Sequence, residues 1–311
     1  MPDLRWGLTV PFSGVPLSEH ADLLRRVEAS GYDDVWTSET SGYDGFTPLA
    51  LAAVHTARLR LGTGVVNPYT RGPAVLAQHC AALADASGGR FVLGLGSSSN
   101  VIVERWNGVP FERPLSRMRE AIDALRPILA GDRGPGGFRL EAPPTAPVPI
   151  VVAALRGKML ALAAELGDGA FTNFLPLSGT AQVAEAFGAR GKELVCRFFC
   201  FPAREEEALP AARRMLVAYA TVPVYAAFFR WLGWDERIDP MVAAWEDGDR
   251  GRALALVPDE LVREVFVFGD ADAQRERLRA FADRGITTFV LTPICEPAGL
   301  AAFIDGLAPR A

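Results

Sequence analysis

Eight short apolar segments, separated by stretches of helical character, constrain the fold of this chain more than any other feature. Residues 4–10, 34–37, 59–66, 91–96, 148–153, 169–172, 193–201 and 286–291 read as strands, rich in Val, Ile, Leu and Phe. Helices fill the gaps. The first is capped by Ser18 and ended by Gly31; then come 47–56, 73–86 with Pro73 at its start, 113–130 introduced by Pro114, 157–166, 180–189, 205–220, 271–284 and 298–307. Near-continuous apolar strands alternating with helices are the pattern of a parallel sheet covered on both faces. Eight repeats predict an α/β chain closed into a (β/α)8 TIM barrel, one domain over residues 1–311.

Two stretches depart from the alternation. The Gly- and Pro-rich residues 131–149 carry at most a short strand at 138–140. Residues 221–268 have helical character and contain Trp231, Trp234 and Trp245. They read as a helical insertion before the eighth strand, serving as a lid, a subunit contact or simple packing on the barrel.

Composition narrows the partners. Half of the residues are hydrophobic and the formal net charge is −5, with Lys and Arg scattered singly or in pairs. This argues against nucleic acid as a partner, since a phosphate backbone calls for a basic surface. No apolar run is long enough to span a bilayer, and the start has no basic segment followed by an apolar one, so a cytoplasmic location is expected. Cys80, Cys196, Cys200 and Cys295 form no CxxC pair and no zinc-type array with histidine, which predicts reduced thiols and no metal site. His20, His55 and His79 each lie alone on predicted helices and read as structural or surface residues.

In a parallel barrel, ligands gather at the carboxyl ends of the strands, so the residues following each strand are the candidates. Glu39 follows the second strand beside Trp36, Tyr43 and Phe46, where burial would raise a carboxyl pKa toward neutrality and suit proton transfer. The plainer alternative is an ion-paired or capping glutamate. The third strand contains Gly62 and Gly64, a sign of a bulge, an unusual peptide or a ligand close to the backbone, or else of ordinary packing. After the fourth strand, Gly94-Leu95-Gly96-Ser97-Ser98-Ser99 resembles half of a dinucleotide fingerprint. It lacks the third glycine, and Asn107, Gly108, Pro110 and Pro114 are expected to forbid a helix before Arg113, which disfavours a Rossmann site. A serine-lined cradle for a ring or ribityl-like chain stays open. After the fifth strand, Arg156, Gly157 and Lys158 enter a helix, so free N–H groups and two cations converge as a phosphate would require. No GxSxG elbow and no His/Asp/Glu set appears, so the chemistry is expected to be a cofactor's.

Several ordered motifs carry a resemblance: LGTGVVNPYTRGP, ADASGGRFVLGLGSSS, VIVERWNGVPFERPLSRMRE, AALRGKMLALAAELGDGA and ITTFVLTP. Together they resemble the bacterial luciferase-like superfamily and, within it, the coenzyme F420-dependent oxidoreductases. The resemblance implies a TIM barrel, often a homodimer, with a non-prolyl cis peptide in the third strand, here Gly64–Val65, against the deazaflavin face. It implies that Thr63, Gly64, Val65, Asn67 and the backbone of Gly96, Ser97, Ser98 and Ser99 surround the ring and ribityl chain. Gly157 and Lys158 match the phosphate loop, and Thr172 and Asn173 are weaker candidates for the same cleft. Glu39 matches an acidic position, with Thr40 where relatives carry histidine, and Gly72 and Asn107 also stand where histidine is common. The activity implied is hydride transfer between F420 and a small organic substrate, with Glu39 handling a proton. An FMNH2-dependent monooxygenase and a non-catalytic flavin carrier are the alternatives.

Overall fold

The computed structural model describes residues 4–309. Its strands are β1 (Arg5–Val10), β2 (Asp34–Thr37), β3 (Arg60–Thr63), β4 (Phe91–Leu95), β5 (Ile150–Ala153), β6 (Gly169–Asn173), β7 (Glu193–Phe201), β8 (Val267–Phe268) and β9 (Thr288–Pro293). All pairings are parallel, and β1-β2-β3-β4-β5-β6-β7-β9 returns to β1, closing an eight-stranded barrel. The two-residue β8 adds to the end of β7 outside that ring. Every strand read from the sequence is a barrel strand. No strand forms at 138–140; a short 3-10 turn, Pro135–Gly137, stands just before it.

Alternation along the strands separates two cores. Trp36, Val92, Val151, Phe171, Val195 and Val290 point inward and fill the barrel with Val65 packed against them. Leu61, Leu93, Ile150, Val152, Ala170, Leu194, Cys196 and Phe198 point outward beneath the helices. Gly62 and Gly94 are needed for this packing. A Cβ on Gly62 would lie 2.2 Å from the Trp36 ring, and one on Gly94 would lie 1.7 Å from the carbonyl oxygen of Thr63.

The amino end of the barrel is closed by charge. Arg5, Asp34, Arg60, Glu193 and Thr288 each open a strand. Asp34, fully buried, accepts from Arg5 and from Arg60 Nη2 at 2.6 Å, and Arg60 Nη1 donates to Glu193 at 2.9 Å. Burial works against the Arg60 charge, but Asp34 and Glu193 more than offset it and hold its pKa above the usual value.

The start of the first helix differs from expectation, and other helix ends shift by one to two residues, as in Thr180–Phe187 and Ala271–Ala282. Ser18 lies within a 3-10 turn, Leu17–Glu19, and does not cap; the helix proper is His20–Ala29. Buried His20 fixes that entry instead, accepting from the Phe12 N–H at 2.8 Å through Nε2, with Nδ1 2.9 Å from the Pro16 carbonyl.

Between Ala220 and β8 the chain forms four helices, Pro223–Trp231, Asp235–Glu246, Arg250–Ala255 and Asp259–Val265. With Phe199, Phe201 and the helix Glu205–Ala220 they enclose a second apolar core of Ile238, Met241, Leu261 and Phe266. Among the described residues no helix is long and apolar enough to cross a membrane.

Candidate active site

Loops after β2, β3, β4 and β5 lie on consecutive strands of the ring, so they form one arc of the barrel mouth. The Gly64–Val65 peptide immediately after β3 is cis. Val66 continues the strand's path by bridging to Leu95, its N–H donating to the Gly94 carbonyl at 3.0 Å. Gly96 donates in turn to the Val66 carbonyl at 2.9 Å, and a Cβ there would meet Val65 Cγ2 at 2.6 Å. The bulge after β3 and the turn after β4 therefore pack directly on each other.

The candidates in this arc divide into two kinds. Thr63 is fully buried, and its hydroxyl both donates to the Gly94 carbonyl at 2.9 Å and accepts from the Gly94 N–H at 2.8 Å. It ties β3 to β4. Asn67 is also buried; its Oδ1 accepts from the Tyr69 and Thr70 N–H groups and the Thr70 hydroxyl, which folds the loop after the bulge. Ser97, Ser98 and Ser99 are partly exposed, with Ser98 at φ 63°, so the turn opens toward solvent.

A six-residue π-helix, Val101–Trp106, follows that turn directly. The sequence reading forbade a helix before Arg113, yet one wide turn fits before Gly108 and Pro110, with the Val103 N–H donating to the Ser99 carbonyl at 2.9 Å. Single-turn π segments tend to occur at functional sites, where they re-aim side chains. Trp106 at its end is exposed.

On β5's side, the ten-residue helix Gly157–Leu166 begins with Gly157 at φ +45°, and the space its Cβ would enter is open. Arg156 and Lys158 beside it are exposed, and neither takes part in an ion pair among the described residues. Free N–H groups, an open approach and two uncommitted cations fit a phosphate.

Glu39 has a different setting from the one expected. Arg71, 32 residues on, donates to Oε1 at 2.6 Å and to Oε2 at 2.7 Å, and the Gly45 N–H donates to Oε2 at 2.8 Å. Trp36 lies inside the barrel and Tyr43 is exposed, so apolar neighbours do not enclose the carboxylate. Phe46 instead carries the Arg71 guanidinium, 5.4 Å above its ring. Glu39 is thus an ion-paired residue at the mouth.

Thr172 and Asn173 separate. Phe171 belongs to the inner core and Ala170 to the outer one, so alternation turns Thr172 toward the helices and Asn173 toward the mouth. Asn173 Nδ2 donates to the Tyr225 hydroxyl at 3.1 Å. Tyr225 comes from the first helix after Ala220, so that segment reaches the site.

Arg197 escaped the sequence reading. It faces inward on β7, in register with Asn173, with its guanidinium 5.6 Å from the Phe171 ring centroid. It donates through Nη2 to the carbonyl of Gly64 and through Nη1 to Ser38 Oγ at 3.2 Å. The signal was a lone cation in the apolar run ELVCRFFCF.

Comparison with known proteins agrees with this architecture. The family model for luciferase-like monooxygenases matches residues 7–288. A Mycobacterium tuberculosis protein provisionally named a coenzyme F420-dependent oxidoreductase is 29% identical, with 93% of this chain and 95% of that protein covered. The 5,10-methylenetetrahydromethanopterin reductase of Methanolobus tindarius is 30% identical over 88% of this chain and 90% of its own. Among solved structures, the coenzyme F420-dependent tetrahydromethanopterin reductase from Methanopyrus kandleri superposes with a TM-score of 0.80 at 21% identity, covering 98% of each chain. The FMN-bound oxygenating constituent of 3,6-diketocamphane monooxygenase from Pseudomonas putida gives 0.67 at 16% identity, covering 100% of this chain and 99% of that one. The chain is an enzyme of the luciferase-like monooxygenase family.

Proposed function

We propose that this enzyme is a coenzyme F420-dependent oxidoreductase that transfers a hydride between the deazaflavin and a small organic substrate. The observation that carries this reading is the near full-length likeness to the provisionally named F420-dependent oxidoreductase of Mycobacterium tuberculosis. The mouth supports it: a cis bulge, a serine-lined turn and a cationic helix start occupy three consecutive strand ends, as a ring, a polyol chain and a phosphate in series would need.

In this reading Gly64 and Val65 present backbone to the ring, the Gly96–Ser99 turn holds the ribityl chain, and Gly157 and Lys158 hold the phosphate. The bound deazaflavin supplies the carbon that takes or gives hydride. Glu39, held in place by Arg71 and the Gly45 N–H, is the proton acceptor at the mouth. Asn173 and Tyr225 border the substrate side.

A second reading, a monooxygenase using FMNH2, is favoured by the likeness to the FMN-bound oxygenating constituent. Separate titrations with F420 and FMN distinguish the two. F420 binding with weak or no FMN binding is expected, and tight FMN binding without F420 binding overturns the proposal.

A further inference from the structure

Arg197 is a buried cation with 8% of its surface exposed, and no carboxylate pairs with it among the described residues. Three oxygens meet its guanidinium, and all belong to neutral groups: the Gly64 and Thr37 carbonyls and the Ser38 hydroxyl. Its Nε is buried with no hydrogen-bond partner. At the amino end of the barrel even a partly buried cation is paired, since Arg60 meets both Asp34 and Glu193. An uncompensated charge removed from water is costly, so its presence in the mouth calls for an anion from outside the chain.

The surroundings say where that anion would sit. Phe171 forms the floor beneath the guanidinium, and Val65 packs on the same inner cluster. Asn173 lies beside Arg197 in register, its amide held by Tyr225. Burial lowers the Arg197 pKa, with Tyr219, Tyr225 and Cys196 the groups that act against this; none of them is a carboxylate. The position lies at the end of β3 and is contributed by β7, four strands away around the ring in either direction. The cationic helix start follows a different strand, β5, two places from both β3 and β7.

We propose that Arg197 is the receptor for a carboxylate on the substrate, so that this enzyme acts on small, flat organic acids rather than neutral or phosphorylated compounds. This deepens the proposed function by naming a substrate class and rests on that reading for the reaction alone, because anion binding at Arg197 needs no cofactor. The aromatic floor adds a preference for planar acids. Asn173 and Tyr225 orient the rest of the molecule, and Ser38 and the Gly64 carbonyl hold the guanidinium in place.

The test uses benzoate and its uncharged analogue benzamide as probes, with binding to the full chain followed by calorimetry. Benzoate is expected to bind at least tenfold more tightly than benzamide. Arg197→Met should remove that difference, Arg197→Lys should keep part of it, and Lys158→Ala should leave benzoate affinity within twofold. Equal affinity for the two probes, no detectable benzoate binding, or unchanged benzoate affinity in folded Arg197→Met each overturns the proposal. Should Arg197→Met not fold, the benzoate-to-benzamide ratio of the wild type and of Arg197→Lys decides it. An F420 titration of the same proteins separates the two ideas: benzoate selectivity without F420 binding sustains this site while refuting the F420 assignment. Loss of F420 affinity in Arg197→Met with benzoate affinity intact refutes the site instead.

Discussion

Arg71 holds both carboxylate oxygens of Glu39, at 2.6 and 2.7 Å, and rests its own guanidinium over Phe46. The two side chains come from the loops after β2 and after β3, so the pair fastens neighbouring parts of the mouth. Replacing Glu39 by Gln is expected to lower kcat by about a hundredfold or more, the usual scale for loss of a positioned proton acceptor. Arg71→Met is expected to cost about 1–3 kcal/mol of stability through a lost charge-assisted pair. Steady-state kinetics and thermal melts of both single variants and the double variant check this. Additive melting effects in the double variant would show that the pair is not coupled.

Asp34 sits fully buried between two arginines at the opposite end of the barrel. Asp34→Asn leaves Arg5 and Arg60 short of a counter-charge and is expected to destabilise the fold by about 3–5 kcal/mol. Urea denaturation should show a lower midpoint with an unchanged slope.

Glu28 accepts the backbone N–H groups of Ala57, Arg58 and Leu59. Burial alone would raise its pKa, but these bonds and the Arg58 charge outweigh it and hold the carboxyl below its ordinary value. A depressed carboxyl stabilises the fold above its unfolded pKa of about 4.3, and that contribution is lost as pH falls through the lower folded value. Glu28→Gln is therefore expected to lower the melting temperature at pH 7 and to narrow the gap to wild type below about pH 4. Melting curves over pH 3–7, a span of about that carboxylate range, test the sign.

Gly94 and Gly157 should respond to alanine in opposite ways. A methyl on Gly94 collides with the Thr63 carbonyl, whereas one on Gly157 enters open space at a φ of +45°. Gly94→Ala is expected to give no folded protein. Gly157→Ala should fold with a loss of about 1–2 kcal/mol from its left-handed backbone and with weaker binding of F420. Circular dichroism and the F420 titration report the two outcomes.

The strands and their closure were legible because each barrel strand is a short apolar run bounded by turn residues, a local signal. The cis bond at Gly64–Val65 was an implication of the resemblance to the luciferase-like superfamily; Gly62 and Gly64 alone pointed only to a bulge, an unusual peptide, a nearby ligand or ordinary packing. Charge partners were not legible. Glu39 is 32 residues from Arg71, and no spacing rule links the loops after two adjacent strands. Arg197 was hidden by its company, since one cation in ELVCRFFCF does not alter the strand reading. Thr63 and Thr172 matched ligand-facing positions in the resemblance, but alternation anchored by the outward Leu61 on β3 and Ala170 on β6 turns both toward the helices. The π-helix at Val101–Trp106 is followed by Asn107, Gly108, Pro110 and Pro114, which argue against regular α-helix, and a single wide turn needs less room.

The charged plug of Arg5, Asp34, Arg60 and Glu193 joins strands β1, β2, β3 and β7 at the end far from the mouth. Half of the barrel staves are thereby hooped from below, by contacts that involve none of the ligand-facing loops. New specificities can then be grafted at the rim, including exchange of the helices that deliver Tyr225, while the hoop keeps the staves in register.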